Sequence, residues 1–169
     1  MNREQLRAAQ QPLKEQYKAQ PNAALVTLRA SGSLDDDVTC SVETGRALVR
    51  AGLHSATGGP GTFACSGDML LQALVACAGV TLNAVATSIG IVLRSATLAA
   101  EGDLDFRGTL GIAKDVPVGF QRIRLFIELD TDATAEEQQK LLQLTERYCV
   151  VYQTLAHNPE IVAAIRQKA

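Results

Sequence analysis

At 169 residues with 47% hydrophobic side chains, the chain has the length and apolar content for one domain with a sizeable core, and it reads as globular rather than disordered. A formal net charge of −2, with acids and bases interspersed, leaves no electrostatic footprint for nucleic acid or a charged membrane surface. Four cysteines, Cys40, Cys65, Cys77 and Cys149, stand far apart with no C-x-x-C pair and no histidine cluster, so neither a metal nor another cofactor is expected.

The opening stretch, MNREQLRAAQQPLKEQYKAQ, is charged throughout and lacks the apolar core of a signal peptide. A cytoplasmic location is the expectation. Structural disulfides are rare in such a compartment, which leaves buried free thiols or redox chemistry for the cysteines. Within that stretch Arg3 to Ala19 place leucine and alanine at loosely helical spacing, and Pro21 ends the run. The expected organisation is an N-terminal helical extension over 1–22 and one domain over 23–169.

Ala23 to Ala30 alternates like a strand, Gly32 to Asp37 reads as a turn, and Val38 to Val49 reads as a second strand. Val38, Cys40 and Val42 share one face of it, so Cys40 is expected to pack as a small core hydrophobe. Ala51 to Ala64, AGLHSATGGPGTFA, is a glycine-rich loop without the lysine or the spacing of a phosphate-binding loop. His54 within it is expected to be solvated.

Cys65 to Gly90 is the longest apolar segment and reads as a central helix. Ser66 is the expected N-cap, Asp68 a first-turn acid that suits the helix dipole, and Gly90 the C-terminal glycine. Met69 to Ala86 approaches the roughly 20 residues of a membrane span, but Gln72, Thr81 and Asn83 interrupt it. Ala73, Ala76, Ala78 and Gly79 surround Cys77 with small side chains, which lets another helix or chain come close.

Ile91 to Asp103 is strand-like, with Gly102 and Gly108 marking turns, and KDVPVG over 114–119 is another turn. Phe120 to Asp130 alternates most clearly, with Ile123, Leu125, Ile127 and Leu129 inward and Arg122, Arg124 and Glu128 outward. Thr134 and Glu137 form a capping box for a second long helix, whose apolar stripe runs through Leu141, Leu144, Tyr148, Val151, Tyr152 and Leu155 to a stop at Asn158 and Pro159. Glu160 to Ile165 is expected as a short strand or a turn of helix. The element order predicts an α+β fold with antiparallel sheet segments. Two helices that each carry a cysteine on a packed face can meet closely enough for a disulfide, given small neighbours; buried inert thiols fit the same pattern.

SGDMLLQALVACAG followed about seventy positions later by TERYCVVYQTL, with PVGFQRIRLFIELD between them, resembles the OsmC/Ohr family of thiol-dependent organic hydroperoxide peroxidases. The resemblance spans Ala23 to about Leu155. It implies an intertwined homodimer whose antiparallel sheets wrap two central helices, with Cys77 as the peroxidatic thiol, Cys149 as the resolving thiol and an external thiol as reductant. It also implies an activating arginine held by an acid. Asp68, nine positions before Cys77, matches the acid. Nine helical residues turn through about half a revolution beyond two full turns, which puts Asp68 across the axis and points to an indirect role or a purely structural one. Arg46 and Arg50 are both candidates for the arginine, because a mid-helix thiol in apolar surroundings needs a cation to ionise. Cys65, at the mouth of the helix, is read as a loop residue.

The candidate catalytic residues are therefore Cys77, Cys149 and Asp68, and the expected substrates are alkyl or lipid hydroperoxides, with Leu74, Val80 and Val151 as apolar lining. Two other classes fit parts of the pattern: a non-catalytic dimer that holds a small apolar ligand, and a hotdog-type thioesterase. The latter needs a pocket acid, and the central helix has no carboxylate after Asp68.

Overall fold

A computed structural model of the chain describes residues 2–20, 31–34, 39–43, 48–111 and 113–167. The N-terminal helix α1 covers Arg3–Ala19, as its spacing predicts, and packs against the central helix. The strand expected at Ala23 to Ala30 lies outside the described residues. Beyond it, β1 (Ser31–Leu34), β2 (Thr39–Glu43) and β3 (Leu48–Gly52) form one antiparallel sheet in that order.

Two expectations change here. Gly32 to Leu34 belongs to a strand rather than a turn, and the single strand expected over Val38 to Val49 is two strands paired Glu43↔Leu48 through Cys40↔Ala51. In the sequence the Thr44-Gly45 pair is a turn signal that the apolar alternation on either side of it obscures. The glycine-rich segment then closes one turn of 3-10 helix at Ser55–Thr57 and returns to the sheet through a parallel bridge between Ala51 and Ala64. His54 is held there rather than solvated: its Nδ1 accepts the Ala56 amide at 3.0 Å, and its ring stacks on Phe106 with centroids 5.0 Å apart.

The central helix α2 runs Ser66–Ile89. Its N-cap is Cys65, not Ser66, and no side chain caps the first turn, whereas Gly90 takes the left-handed conformation (φ 83°) that lets its amide return to the Ala86 carbonyl. Mean hydropathy over an 18-residue window of α2 is 1.8, yet only 28% of that window is buried. Length and composition alone would suit a membrane crossing. The buried residues Leu74, Ala78, Leu82 and Ala86 recur every fourth position, and that ridge packs on the elements that follow. The face through Ala73, Ala76, Val80 and Asn83 is exposed, with Val80 at 74%.

Strands β4 (Ser95–Asp103) and β5 (Arg122–Asp130) pair antiparallel, Leu98 opposite Ile127 and Ala100 opposite Leu125. Their half-buried residues face α2, and the outward positions carry charge, with Arg124 bridging Glu101 at 3.1 Å and Asp103 at 2.5 Å. Gly102 lies inside β4 rather than in a turn, because a Cβ there would run into the Phe120 ring. Gly108 sits in a one-turn helix α3 (Phe106–Thr109) capped by Asp105.

The second long helix does not run through to Leu155. It divides into α4 (Ala135–Tyr148) and α5 (Val150–Ala156), with Cys149 as the C-cap of one and the N-cap of the other. The capping box of Thr134 and Glu137 starts α4 as predicted. Residues 158–167 take no regular structure, so neither a strand nor a helical turn forms over Glu160 to Ile165. One core cluster gathers Leu82, Ala86 and Leu141; the other gathers Leu74, Ala78 and Cys149, with Cys77 packed against it.

Candidate active site

The site is made by the break at Cys149. There the backbone leaves the helix (φ −75°, ψ 109°) and re-enters it one residue later. The Cys149 amide still reaches the Thr145 carbonyl at 2.9 Å, and the Gln153 amide reaches the Cys149 carbonyl at 2.9 Å. Between them, among the described residues, the amides of Val150, Val151 and Tyr152 have no carbonyl four positions back. A helix start leaves such donors open until another acceptor meets them. Tyr152 donates its amide to Cys149 Sγ at 3.5 Å, and the amides of Val150 and Val151, at the same open helix start, favour the ionised form of the Cys77 thiol on the facing helix. Two consecutive β-branched residues weaken helix propensity locally, which eases the break without accounting for it; the Cys149 sulfur takes the place of one lost carbonyl.

The two thiols respond in opposite directions. Burial pushes the Cys77 thiol up, but the Val151 amide, the Cys149 thiol, the Val150 amide and the Thr81 hydroxyl together outweigh it and hold Cys77 below the ordinary cysteine value. Cys149 is fully buried, at 0% exposure, and that burial pushes its thiol up. The Tyr152 amide opposes the rise, while the hydrogen bond to Cys77 and the charge on Cys77 add to it. When environments drive two coupled groups apart in this way, one acts as the ionised partner and the other keeps its proton. The surroundings therefore favour the ionised form at Cys77 and the protonated form at Cys149.

A cleft of about 330 Å³ opens on the cluster that holds the two cysteines, although neither cysteine lines it. Leu74, Ile123, Leu125, Tyr152 and Leu155 line it and belong to the same cluster as the cysteines, with Gln121 and Arg122 contributing polar atoms. Of the expected apolar lining, Leu74 is in the cleft wall and Val151 packs in the cluster, but Val80 points away on the exposed face of α2. Asp68 is exposed in the first turn of α2 and borders a different depression with Leu71, Gln72 and Val75. It is not one of the groups acting on the Cys77 thiol. Arg50 lies over the Phe63 ring at 4.9 Å, and Arg46 lies outside the described residues. Cys65 is a half-buried free thiol at the start of α2; the side chain of Cys40 is likewise outside the described residues. Among the described residues no three His, Cys, Asp or Glu side chains are grouped to hold a metal.

Sequence reasoning missed the two main-chain amides that help lower the Cys77 thiol. Among the described residues the groups that lower it are those two amides, the Cys149 thiol and the Thr81 hydroxyl, while Arg46 lies outside those residues. The only trace in the sequence is the Val-Val pair after Cys149.

The fold matches solved structures along most of its length. An OsmC-like protein from Mycoplasma pneumoniae superposes with a TM-score of 0.66 at 17% identity, over 79% of this chain and 89% of that one. An organic hydroperoxide resistance protein from Elizabethkingia anophelis gives 0.64 at 19% identity, over 80% and 91%. One from Legionella pneumophila, described as an organic hydroperoxide resistance protein OsmC and predicted redox protein, gives 0.63 at 18%, over 80% and 93%. No curated protein matches the chain. The family model for OsmC-like protein matches residues 59–163, which takes in both cysteine helices and the β4–β5 pair, and by that match the chain belongs to the OsmC-like protein family.

Proposed function

We propose that the chain is a thiol-dependent peroxidase that reduces organic hydroperoxides through a cycle of Cys77 and Cys149. The observation that carries this reading is the pair itself: two free thiols packed in one cluster, one held low and the other pushed high. Similarity to the Elizabethkingia anophelis and Legionella pneumophila hydroperoxide resistance proteins supports it.

In the first step the Cys77 thiolate attacks the distal oxygen of ROOH. The O–O bond breaks, the leaving alkoxide takes a proton to become the alcohol, and Cys77 becomes a sulfenic acid. In the second, the Cys149 thiol gives up its proton and its sulfur attacks the sulfenic sulfur; the S–O bond breaks, water leaves and a disulfide forms. An external thiol returns both sulfurs to the reduced state. No flavin or metal enters the scheme. Asp68 takes part through the α2 N-terminus, where a carboxylate is favourable, rather than through the sulfur.

The substrates are alkyl or lipid hydroperoxides in preference to hydrogen peroxide. Each methylene buried in the cleft between Leu74, Ile123 and Leu155 is worth about 0.8 kcal/mol. The working form is a homodimer, because the exposed small-residue face of α2 is too apolar to leave in water over its length. A reducing, cytoplasmic compartment suits a pair that must be returned to thiols after each turnover.

The test is stopped-flow titration of free thiols after one equivalent of cumene hydroperoxide, with mass spectrometry of the products. The wild type forms a disulfide between Cys77 and Cys149 within seconds, Cys77→Ser stays inert, and Cys149→Ser stops at the sulfenic acid. If Cys77 stays reduced at neutral pH, or if hydrogen peroxide turns over as well as cumene hydroperoxide, the corresponding part of the reading is wrong.

A further inference from the structure

The cleft beside the cysteine cluster has a polar rim as well as an apolar wall. Leu74, Ile123, Leu125 and Leu155 supply the wall, and Gln121 and Arg122 stand at the rim where β5 begins. Contacts along α2 fix how far that rim lies from the thiols. A Cβ at Gly67 would sit 3.4 Å from the Phe120 ring, so Phe120, which also lines the cleft, is level with the first turn of α2. Cys77 is ten residues further along the same helix, a rise of about 15 Å. Leu74 and Tyr152 cover the interval: Leu74 is one turn before Cys77, and the Tyr152 amide meets Cys149 Sγ at 3.5 Å. The cleft thus leads from a cationic rim toward the sulfurs.

The cation at that rim has no counter-ion of its own. Asp103 is the partner of Arg122 in the β4–β5 register, yet its carboxylate is turned to the neighbouring Arg124, at 2.5 and 2.7 Å, and Glu101 goes to Arg124 as well, at 3.1 Å. Asp103 feels Arg122 only at longer range. Among the described residues Arg122 makes no ion pair and no side-chain hydrogen bond, and Gln121 engages only its main-chain amide, on the Asp103 carbonyl at 2.9 Å. A guanidinium offers a planar fork of N–H donors that matches a carboxylate, and its single positive charge is balanced by one such group.

We propose that the cleft selects amphipathic hydroperoxides that carry a carboxylate at the far end of an aliphatic chain, with Arg122 as the specificity-determining residue that holds that carboxylate. The proposal rests on the reading of Cys77 as the peroxidatic thiol and adds to it which end of the substrate the protein recognises. The chain lies along Leu74, Ile123 and Leu155 with its hydroperoxide toward the cysteines, and its carboxylate replaces water on the guanidinium. At about 330 Å³ the cleft is near the lower bound of small-molecule sites, roughly 300 Å³, which suits one chain rather than the paired chains of a phospholipid.

The test is the single-turnover rate of Cys77 oxidation in the full chain, followed by thiol titration, with a long-chain fatty acid hydroperoxide and with its methyl ester, each below its micelle concentration. The ester has the same chain and the same O–O bond and lacks the charge. The wild type should prefer the acid about three- to tenfold, Arg122→Gln should bring the two rates together, Arg122→Glu should reverse their order, and Arg122→Lys should keep the preference in reduced form. The acid-to-ester ratio cancels any loss of rate common to both substrates, so a purely structural role for Arg122 would not move it. Equal rates in the wild type, or a preference that survives Arg122→Gln, overturns the proposal. Should neither hydroperoxide oxidise Cys77, the peroxidase reading falls, and calorimetric binding of the parent fatty acid decides the rest: affinity lost in Arg122→Gln upholds the carboxylate site, whereas equal affinity, or no binding to the wild type, overturns it.

Discussion

Cys149 has two jobs in the reduced protein that do not involve its own oxidation, and two substitutions separate them from the resolving step. Its sulfur accepts the Tyr152 amide at the start of α5, and its thiol helps hold Cys77 below the ordinary cysteine value. Cys149→Ala removes both; Cys149→Ser keeps a short acceptor and a stronger donor at the same place. Loss of an N-cap costs about 0.5 to 2 kcal/mol, and a 3.5 Å contact to sulfur belongs at the low end of that range. Loss of one hydrogen bond to the Cys77 thiolate, at about 1 kcal/mol, changes its thiolate-to-thiol ratio about fivefold, or roughly 0.7 of a pH unit. Both variants should stall at the sulfenic acid, but the alanine variant should reach it several-fold more slowly at pH 7 and its Cys77 should ionise at higher pH than in the serine variant. The assay is alkylation of Cys77 against pH, with thermal melting in parallel. Equal midpoints in two folded variants would refute the hydrogen-bond account of Cys77 activation.

Val150→Pro removes one of the amides that favour the Cys77 thiolate while suiting the first position of α5, and the extended Cys149 before it accommodates a following proline. The Cys77 midpoint should rise by about one pH unit, less than if Val151 were also lost, in the same alkylation series. Because Cys77 is held below its unfolded value, its thiolate contributes stability above the unfolded value and loses it as the pH falls through the folded one; Cys77→Ser should remove that part of the pH dependence of denaturant unfolding. Val80→Glu places a charge on the exposed face of α2 and should shift the proposed dimer toward monomer in sedimentation at micromolar concentration, whereas an unchanged sedimentation coefficient would leave that face without a partner. Thr134→Ala breaks the capping box of α4 and should cost about 1 kcal/mol, a fall of roughly 2 to 4 °C in Tm by calorimetry.

Where a sequence signal rests on side chains at a fixed period, it was readable. The alternation of Ile123, Leu125, Ile127 and Leu129, the capping box at Thr134 and the glycine stop at Gly90 all reflect local physics, and each is in its expected place. The meeting of Cys77 and Cys149 was accessible through small neighbours on α2 and through the family resemblance. What could not be read is the division of the last long helix. Leu141, Leu144, Tyr148, Val151, Tyr152 and Leu155 keep a helical period across the break, because one extended residue re-enters the helix with its apolar face still toward the core. The division into β2 and β3 escaped for a related reason: Cys40 and Val42 in one strand and Val49 and Ala51 in the other read as one continuous apolar run. Asp68 and the arginines were chosen by spacing from relatives, and spacing along one chain does not report which side of a helix a neighbour approaches.

Two of the groups that lower Cys77 belong to the peptide chain, not to the identity of residues 150 and 151. Any L-residue except proline carries the same N–H, so the chemistry at the sulfur is insulated from drift at those two positions so long as the break persists. Selection then bears on the shape of the chain rather than on a signature of side chains. Relatives that activate the same thiol in this manner would share no motif there, and a search for an invariant cation would pass over them.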